Sequence, residues 1–339
     1  VSFAVDINIL LRSIEQGHAA RQQLRMKFTR VFLFVALAAL CSGFALKTAT
    51  QSVQQAPVAR PNTRDYNKRV EIVSLDSKLV GETLPYIVVL PTEYDQRAAQ
   101  SKRYPVLYLL HGLGGHYDNW TTKTKLANYA AQYQMIIVTP EGNNSWYTDS
   151  AAVPKNKYET YVLEELIPDV QRRYRTIETR ASRGIGGLSM GGYGALKLGI
   201  KFPQTFAFAG SVSGALGAAS WSETDLRGHE AIWRSLLPVF GANDSSTRAA
   251  NDLAKLVRDL PADRISNLPF LYVDCGTEDQ FLKSNLDFAE LLRSRKIRHE
   301  YRELPGGHAW NYWDAEVQEI LRLAAKEFQS AVTQTAPTQ

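Results

Sequence analysis

The sequence predicts an α/β fold: a mostly parallel β-sheet with helices packed on both faces. Three observations carry this prediction. Short β-rich runs alternate with helical stretches from residue 69 to residue 328, and strands separated by helices require right-handed crossovers and parallel neighbours. Gly187-Leu188-Ser189-Met190-Gly191 stands between an apolar run and a helical pattern. A Gly306-Gly307-His308 loop separates the last strand-like run from the last helical one. In such sheets the chemistry belongs on loops at the C-terminal ends of strands.

The elements follow in order. Val31–Cys41 is an apolar run of eleven residues, too short for a bilayer span of about 20 but matching the core of a secretory signal. Met26, Lys27 and Arg30 form its basic flank and Gly43-Phe44-Ala45 its cleavage site, so the protein is expected to be exported and cleaved near Ala45. Residues 1–25 are read as lying ahead of the true start. Cys41 follows Leu40 rather than a small residue, which argues against lipid attachment. Residues 46–68 are polar, contain proline and lack periodicity, as does the tail 329–339; both read as flexible.

From Arg69 the texture changes. RVEIVSL and LPYIVVLP predict an antiparallel strand pair joined by a turn at 79–82. PVLYLL (105–110) precedes a predicted helix over 122–132, and MIIV (135–138) precedes one over 158–174. Strand 184–188 precedes helix 191–201, strand 206–211 opens a longer insertion over 213–267, and PFLYV (269–273) precedes helix 281–293. HEYREL (299–304) precedes a last helix over 312–328, in which Trp313, Val317, Ile320, Leu321, Ala324 and Phe328 share one face. The domain is therefore bounded at 69–328.

Composition narrows the function classes. Of 339 residues, 45% are hydrophobic and 22% charged, with a net charge of +5, an ordinary globular balance. Residues 1–45 carry five basic and two acidic side chains, so +3 belongs to the leader and +2 to the remainder. Nucleic acid is not an expected partner on this charge. Cys41 and Cys275, the two cysteines, make neither a disulfide framework nor a metal site. No metal or organic cofactor is implied, and no oligomeric state is readable.

The chemistry converges on three residues. A strand–turn–helix serine is presented above the sheet at the positive end of the following helix, and Ser189 holds that place. A hydroxyl needs a base to become a nucleophile. His308, on a loop past the last strand, is the candidate; His111 and His116 precede the serine, His229 lies in the insertion, and His299 begins a strand. An acid to orient the imidazole belongs to the loop after PFLYV, where Asp274, Glu278 and Asp279 compete. Oxyanion donors are expected from the Met190 N–H and from the glycine-rich loop His111–Gly115, through the Leu113 N–H. Trp120, Asn144, Trp146 and Trp310 are candidate substrate-rim residues, with packing roles equally open. Trp221, Trp233, Leu236, Leu237 and Phe240 give the insertion enough apolar surface to cap a pocket or pack on the sheet.

Taken together, HGLGG, GLSMGGYGALKLG, VDCGTEDQFL and PGGHAWNYW resemble the esterase D family of α/β hydrolases over about residues 68–328. The resemblance implies an α/β-hydrolase fold and places the family's serine on Ser189, its histidine on His308, and its acid on Asp279 of Gly276-Thr277-Glu278-Asp279. It also implies the Leu113 amide as an oxyanion donor, and a serine carboxylesterase acting on short acyl or carbohydrate-linked esters without cofactor. The alternatives it implies are an acyltransferase of the mycolyltransferase type and an S-formylglutathione hydrolase-like thioesterase. A binding protein on a dead hydrolase fold would lack a triad member, and none is missing.

Overall fold

Four runs in this sequence, Val106–Leu110, Ile136–Pro140, Arg183–Leu188 and Phe208–Val212, are buried at every position. Strands without polar alternation behave so when both faces of a parallel sheet are covered. The computed structural model describes residues 69–334, and there these runs form the centre of an eight-stranded sheet. The predicted leader with Cys41, the linker 46–68 and residues 335–339 lie outside the described residues.

The strands are β1 (Val70–Asp76), β2 (Thr83–Val89), β3 (Val106–Leu110), β4 (Ile136–Pro140), β5 (Arg183–Leu188), β6 (Phe208–Val212), β7 (Phe270–Gly276) and β8 (His299–Leu304), in spatial order β1-β2-β4-β3-β5-β6-β7-β8. β1 and β2 pair antiparallel, as do β2 and β4, and every other neighbour is parallel. This is the α/β-hydrolase architecture.

The helices are α1 (Asn119–Thr122), α2 (Leu126–Ala130), α3 (Tyr158–Tyr161), α4 (Ile167–Arg173), α5 (Met190–Lys201), α6 (Glu230–Phe240), α7 (Ser246–Asn251), α8 (Leu253–Arg258), α9 (Leu282–Ser294) and α10 (Trp310–Gln334). One helix was expected over 122–132. Instead a break separates α1 from α2, where the Thr124 hydroxyl bonds the Trp120 carbonyl and Asp314 of α10 accepts the Lys125 N–H at 2.7 Å. The helix expected over 158–174 carries a π-helical stretch, Val162–Leu166, between α3 and α4. α10 extends to Gln334, into the segment read as a tail.

Strand alternation sorts the core. Leu107 and Leu109 of β3 face the layer containing α10, while Tyr108 and Leu110 face the layer containing α5. All six residues predicted to share one face of α10 are buried. The insertion supplies α6, α7 and α8, and Phe240 of α6 packs on Trp146 and Tyr193. On β7, Cys275 is free and fully buried. Among the described residues no helix is long and apolar enough to cross a membrane.

Candidate active site

The carboxyl edges of β3, β5 and β7, with the loop after β8, bring the site together. Ser189 ends β5 and begins α5 with φ +53° and ψ −118°, a backbone state that a non-glycine residue adopts only at a cost on the order of 1–3 kcal/mol. The surrounding glycines make it possible. A Cβ on Gly187 would stand 2.5 Å from the Gly191 backbone, and one on Gly191 would stand 2.4 Å from the Leu110 carbonyl oxygen. The turn is held by the Ser189 N–H donating to the Val212 carbonyl of β6 at 3.1 Å.

His308 Nε2 lies 3.0 Å from Ser189 Oγ, and His308 Nδ1 lies 2.9 Å from Asp279 Oδ2. The structure thus joins the three sequence-predicted residues in one hydrogen-bonded chain. Ser189 and Asp279 are buried, while the His308 side chain keeps 22% exposure, leaving the imidazole open to a ligand. Burial resists charge on Asp279. The His308 imidazole, the Phe281 N–H at 2.8 Å and the Ser213 hydroxyl outweigh it and hold the carboxyl below its usual range.

The competing acids sit elsewhere. Asp274 is fully buried and accepts hydrogen bonds from Tyr312 at 2.6 Å and Tyr272 at 3.1 Å. Burial pushes its carboxyl up to about 6. Glu278 is exposed beside the Gly306–Gly307 turn.

Two aromatic rings brace the imidazole edge to face: Phe281 at 5.0 Å and Trp313 at 4.9 Å between centroids. Trp221 of the insertion stacks on Phe281 at 5.2 Å, so the insertion reaches the site through this residue. Ser213 was missed by sequence reasoning, although it follows a central parallel strand directly. It is buried with φ +51°, and it stands beside Asp279 without a partner at regular hydrogen-bond geometry.

The loop after β3 abuts the serine. A Cβ on Gly112 would lie 3.3 Å from Ser189 Cβ. Among the described residues, neither the Leu113 nor the Met190 N–H is spent on another protein group.

The proposed substrate rim needs correction. Trp120 is fully buried, its indole N–H donating to the Leu110 carbonyl at 3.1 Å. Trp146 is also buried, its N–H donating to Ser235 Oγ of α6 at 3.0 Å. Both are struts, because a buried indole must place its N–H on an acceptor. Asn144 is exposed and accepts the Gly114 N–H at 2.8 Å, tying its loop to the one carrying Leu113. Trp310 is half-buried and packs on Trp313 and Trp120.

A family model described as "Putative esterase" matches residues 77–324. The chain belongs to this esterase family. It is an esterase, an enzyme acting on ester bonds. An acetyl esterase of Caldicellulosiruptor saccharolyticus is 28% identical over 260 residues, 75% of this chain and 97% of that protein. A solved structure of a ferulic acid esterase is 29% identical with a TM-score of 0.66, covering 76% of this chain and 98% of the other. A diacylglycerol acyltransferase/mycolyltransferase of Mycobacterium leprae is 27% identical over 244 residues, 63% of this chain and 73% of the relative.

Proposed function

We propose that this esterase is an exported carboxylesterase that hydrolyses short acyl or carbohydrate-linked esters through an acyl-enzyme on Ser189. The observation that carries the reading is the unbroken chain from Ser189 Oγ through His308 to Asp279 on a strained strand–helix turn. Ser189 Oγ attacks the ester carbonyl carbon as His308 Nε2 takes the hydroxyl proton. The resulting oxyanion accepts the N–H groups of Leu113 and Met190. His308 returns the proton to the departing alkoxide, and the alcohol leaves. Water then attacks the acyl-enzyme with the same base, restoring the serine and releasing the acid. Asp279 holds the imidazole in the required tautomer and stabilises its cation. The short-acyl and carbohydrate-linked choices rest on the acetyl and ferulic acid esterase relatives, and export rests on the apolar run at Val31–Cys41.

A second reading, favoured by the mycolyltransferase relative, is transfer of the same acyl group to an alcohol in place of water. A thioesterase of the S-formylglutathione hydrolase kind would use the same steps with a thiolate leaving.

The test is hydrolysis of p-nitrophenyl acetate and butyrate by the wild type and Ser189→Ala. The variant is expected to keep its melting temperature and to lose at least about 10³-fold in kcat. A folded variant with wild-type turnover overturns the assignment. Products formed with an added alcohol separate transfer from hydrolysis, and feruloylated and acetylated xylan fragments sort the substrates.

A further inference from the structure

The peptide unit that offers the Leu113 N–H has its carbonyl on Gly112, and that carbonyl is fixed by groups outside the Ser189–His308–Asp279 chain. Gly112 O accepts the Gly115 N–H at 3.0 Å and lies 2.8 Å from His111 Nδ1. A carbonyl only accepts, so the His111 proton sits on Nδ1. His111 Nε2 then accepts the Gly142 N–H at 2.9 Å. His111 is buried and held from a third side, where its carbonyl takes the Tyr147 hydroxyl at 3.1 Å.

Glu141 organises this shell. It follows β4 directly, at the carboxyl edge of the sheet beside β3, and it is buried. Oε1 accepts the N–H groups of Gly142 at 3.1 Å and Asn143 at 2.8 Å and lies 3.2 Å from His111 Nε2. Oε2 accepts the Tyr117 N–H at 3.3 Å and lies 3.2 Å from His116 Nδ1. Burial opposes its charge, but the N–H groups it accepts favour the anion and hold the carboxyl below its usual range. It is therefore a fixed anion at neutral pH. The loop it anchors carries three non-glycine residues at positive φ, Asn143, Trp146 and Tyr147, a strained path that these bonds maintain.

We propose that Glu141 and His111 are a pair of positioning residues that lock the Gly112–Leu113 peptide with its N–H directed at the developing oxyanion. Glu141 fixes the Gly142 N–H, and that N–H fixes the His111 tautomer. The His111 Nδ1–H then binds the Gly112 carbonyl and polarises the peptide, so its opposite end becomes a better donor. The pair acts on the transition state through the backbone and touches no substrate. The inference rests on the proposed roles of Ser189 and Leu113.

The test compares His111→Ala, His111→Asn and Glu141→Gln on p-nitrophenyl butyrate, with inhibition by a trifluoromethyl ketone that forms a tetrahedral adduct with serine. His111→Ala is expected to lower kcat by about 10- to 100-fold, part of the 10²–10³ that loss of a whole oxyanion donor costs. KM should stay within twofold, and ketone affinity should fall in parallel with kcat. Asn carries an amide N–H near the place of Nδ1–H, so His111→Asn should recover much of that loss. Glu141→Gln should lower kcat by roughly tenfold, with the same parallel loss of ketone affinity. Folded variants with unchanged kcat, a loss confined to KM, or equal losses in the Ala and Asn variants overturn the proposal. If the variants do not fold, nitrogen NMR of the wild type decides: a His111 Nδ1 without a proton overturns it, and a protonated Nδ1 whose proton shifts in the ketone adduct supports it. Activity surviving Ser189→Ala would instead sink the parent reading. Loss in Ser189→Ala beside wild-type kcat in His111→Ala sinks only this one.

Discussion

At Trp146 a bulky ring stands on a loop beside the site, and its place in the chain suggests a substrate contact. Its indole N–H instead reaches Ser235, and its ring packs on Tyr193 and Phe240. Partners this far along the chain leave no local mark, so the sequence leaves rim and packing roles equally open at this position. Trp146→Ala is expected to cost about 3–5 kcal/mol of stability, the usual loss for an emptied aromatic site. KM for a small aryl ester should stay within twofold, measured beside urea unfolding; a large KM rise with unchanged stability would restore the rim role. Ser189 shows the opposite case. Gly187 and Gly191 beside it are a local requirement of the tight turn, since a Cβ on either would collide with backbone. Asp279 lies between these extremes: the residues alone rank it only slightly ahead of Asp274, and the fold shows one carboxyl turned to the imidazole and the other to two tyrosines.

Among elements, α10 was the most legible, because a long apolar stripe is a strong periodic signal. The break between α1 and α2 was not, since Asp314 acts from α10, nearly two hundred residues on. α10 also presents Glu316 toward Asp274 of β7. Burial, the Asp274 charge and Glu319 push the Glu316 carboxyl up to about 7. Asp274 itself is raised to about 6, burial being the largest cause and Tyr312, Tyr272 and Arg302 opposing it. Unfolded carboxyls titrate near 4, so between about pH 4 and 7 the folded chain keeps protons that the unfolded chain has released. Stability from this pair therefore falls as pH rises through that window, and the cost is complete above it. Glu316→Gln is expected to stabilise the protein by about 1–2 kcal/mol at pH 8, with no gain at pH 4.5. Urea midpoints at the two pH values check this, and an equal effect at both would refute the coupling.

For the whole molecule, alternation of strands and helices foretold a parallel sheet, yet many strand orders satisfy alternation. The observed order depends on which buried faces meet, as where β3 comes to lie between β4 and β5. The insertion was equally open. Its aromatic residues could line a pocket or pack on the body, and the structure sends Phe240 into the core and Trp221 onto Phe281. One more consequence follows from β7. Cys275 lies between Asp274 and Gly276, fully buried, and burial pushes its thiol well above the ordinary range. A thiol in that state does not react with alkylating reagents, and a strand paired on both sides, as β7 is with β6 and β8, is freed only when the sheet opens. Its modification rate is thus a clock for global opening, and it should lengthen when a tetrahedral inhibitor occupies Ser189. Mass spectrometry of iodoacetamide-treated protein reads that clock directly: labelling of Cys275 as fast in the native enzyme as in urea would show that the strand breathes on its own.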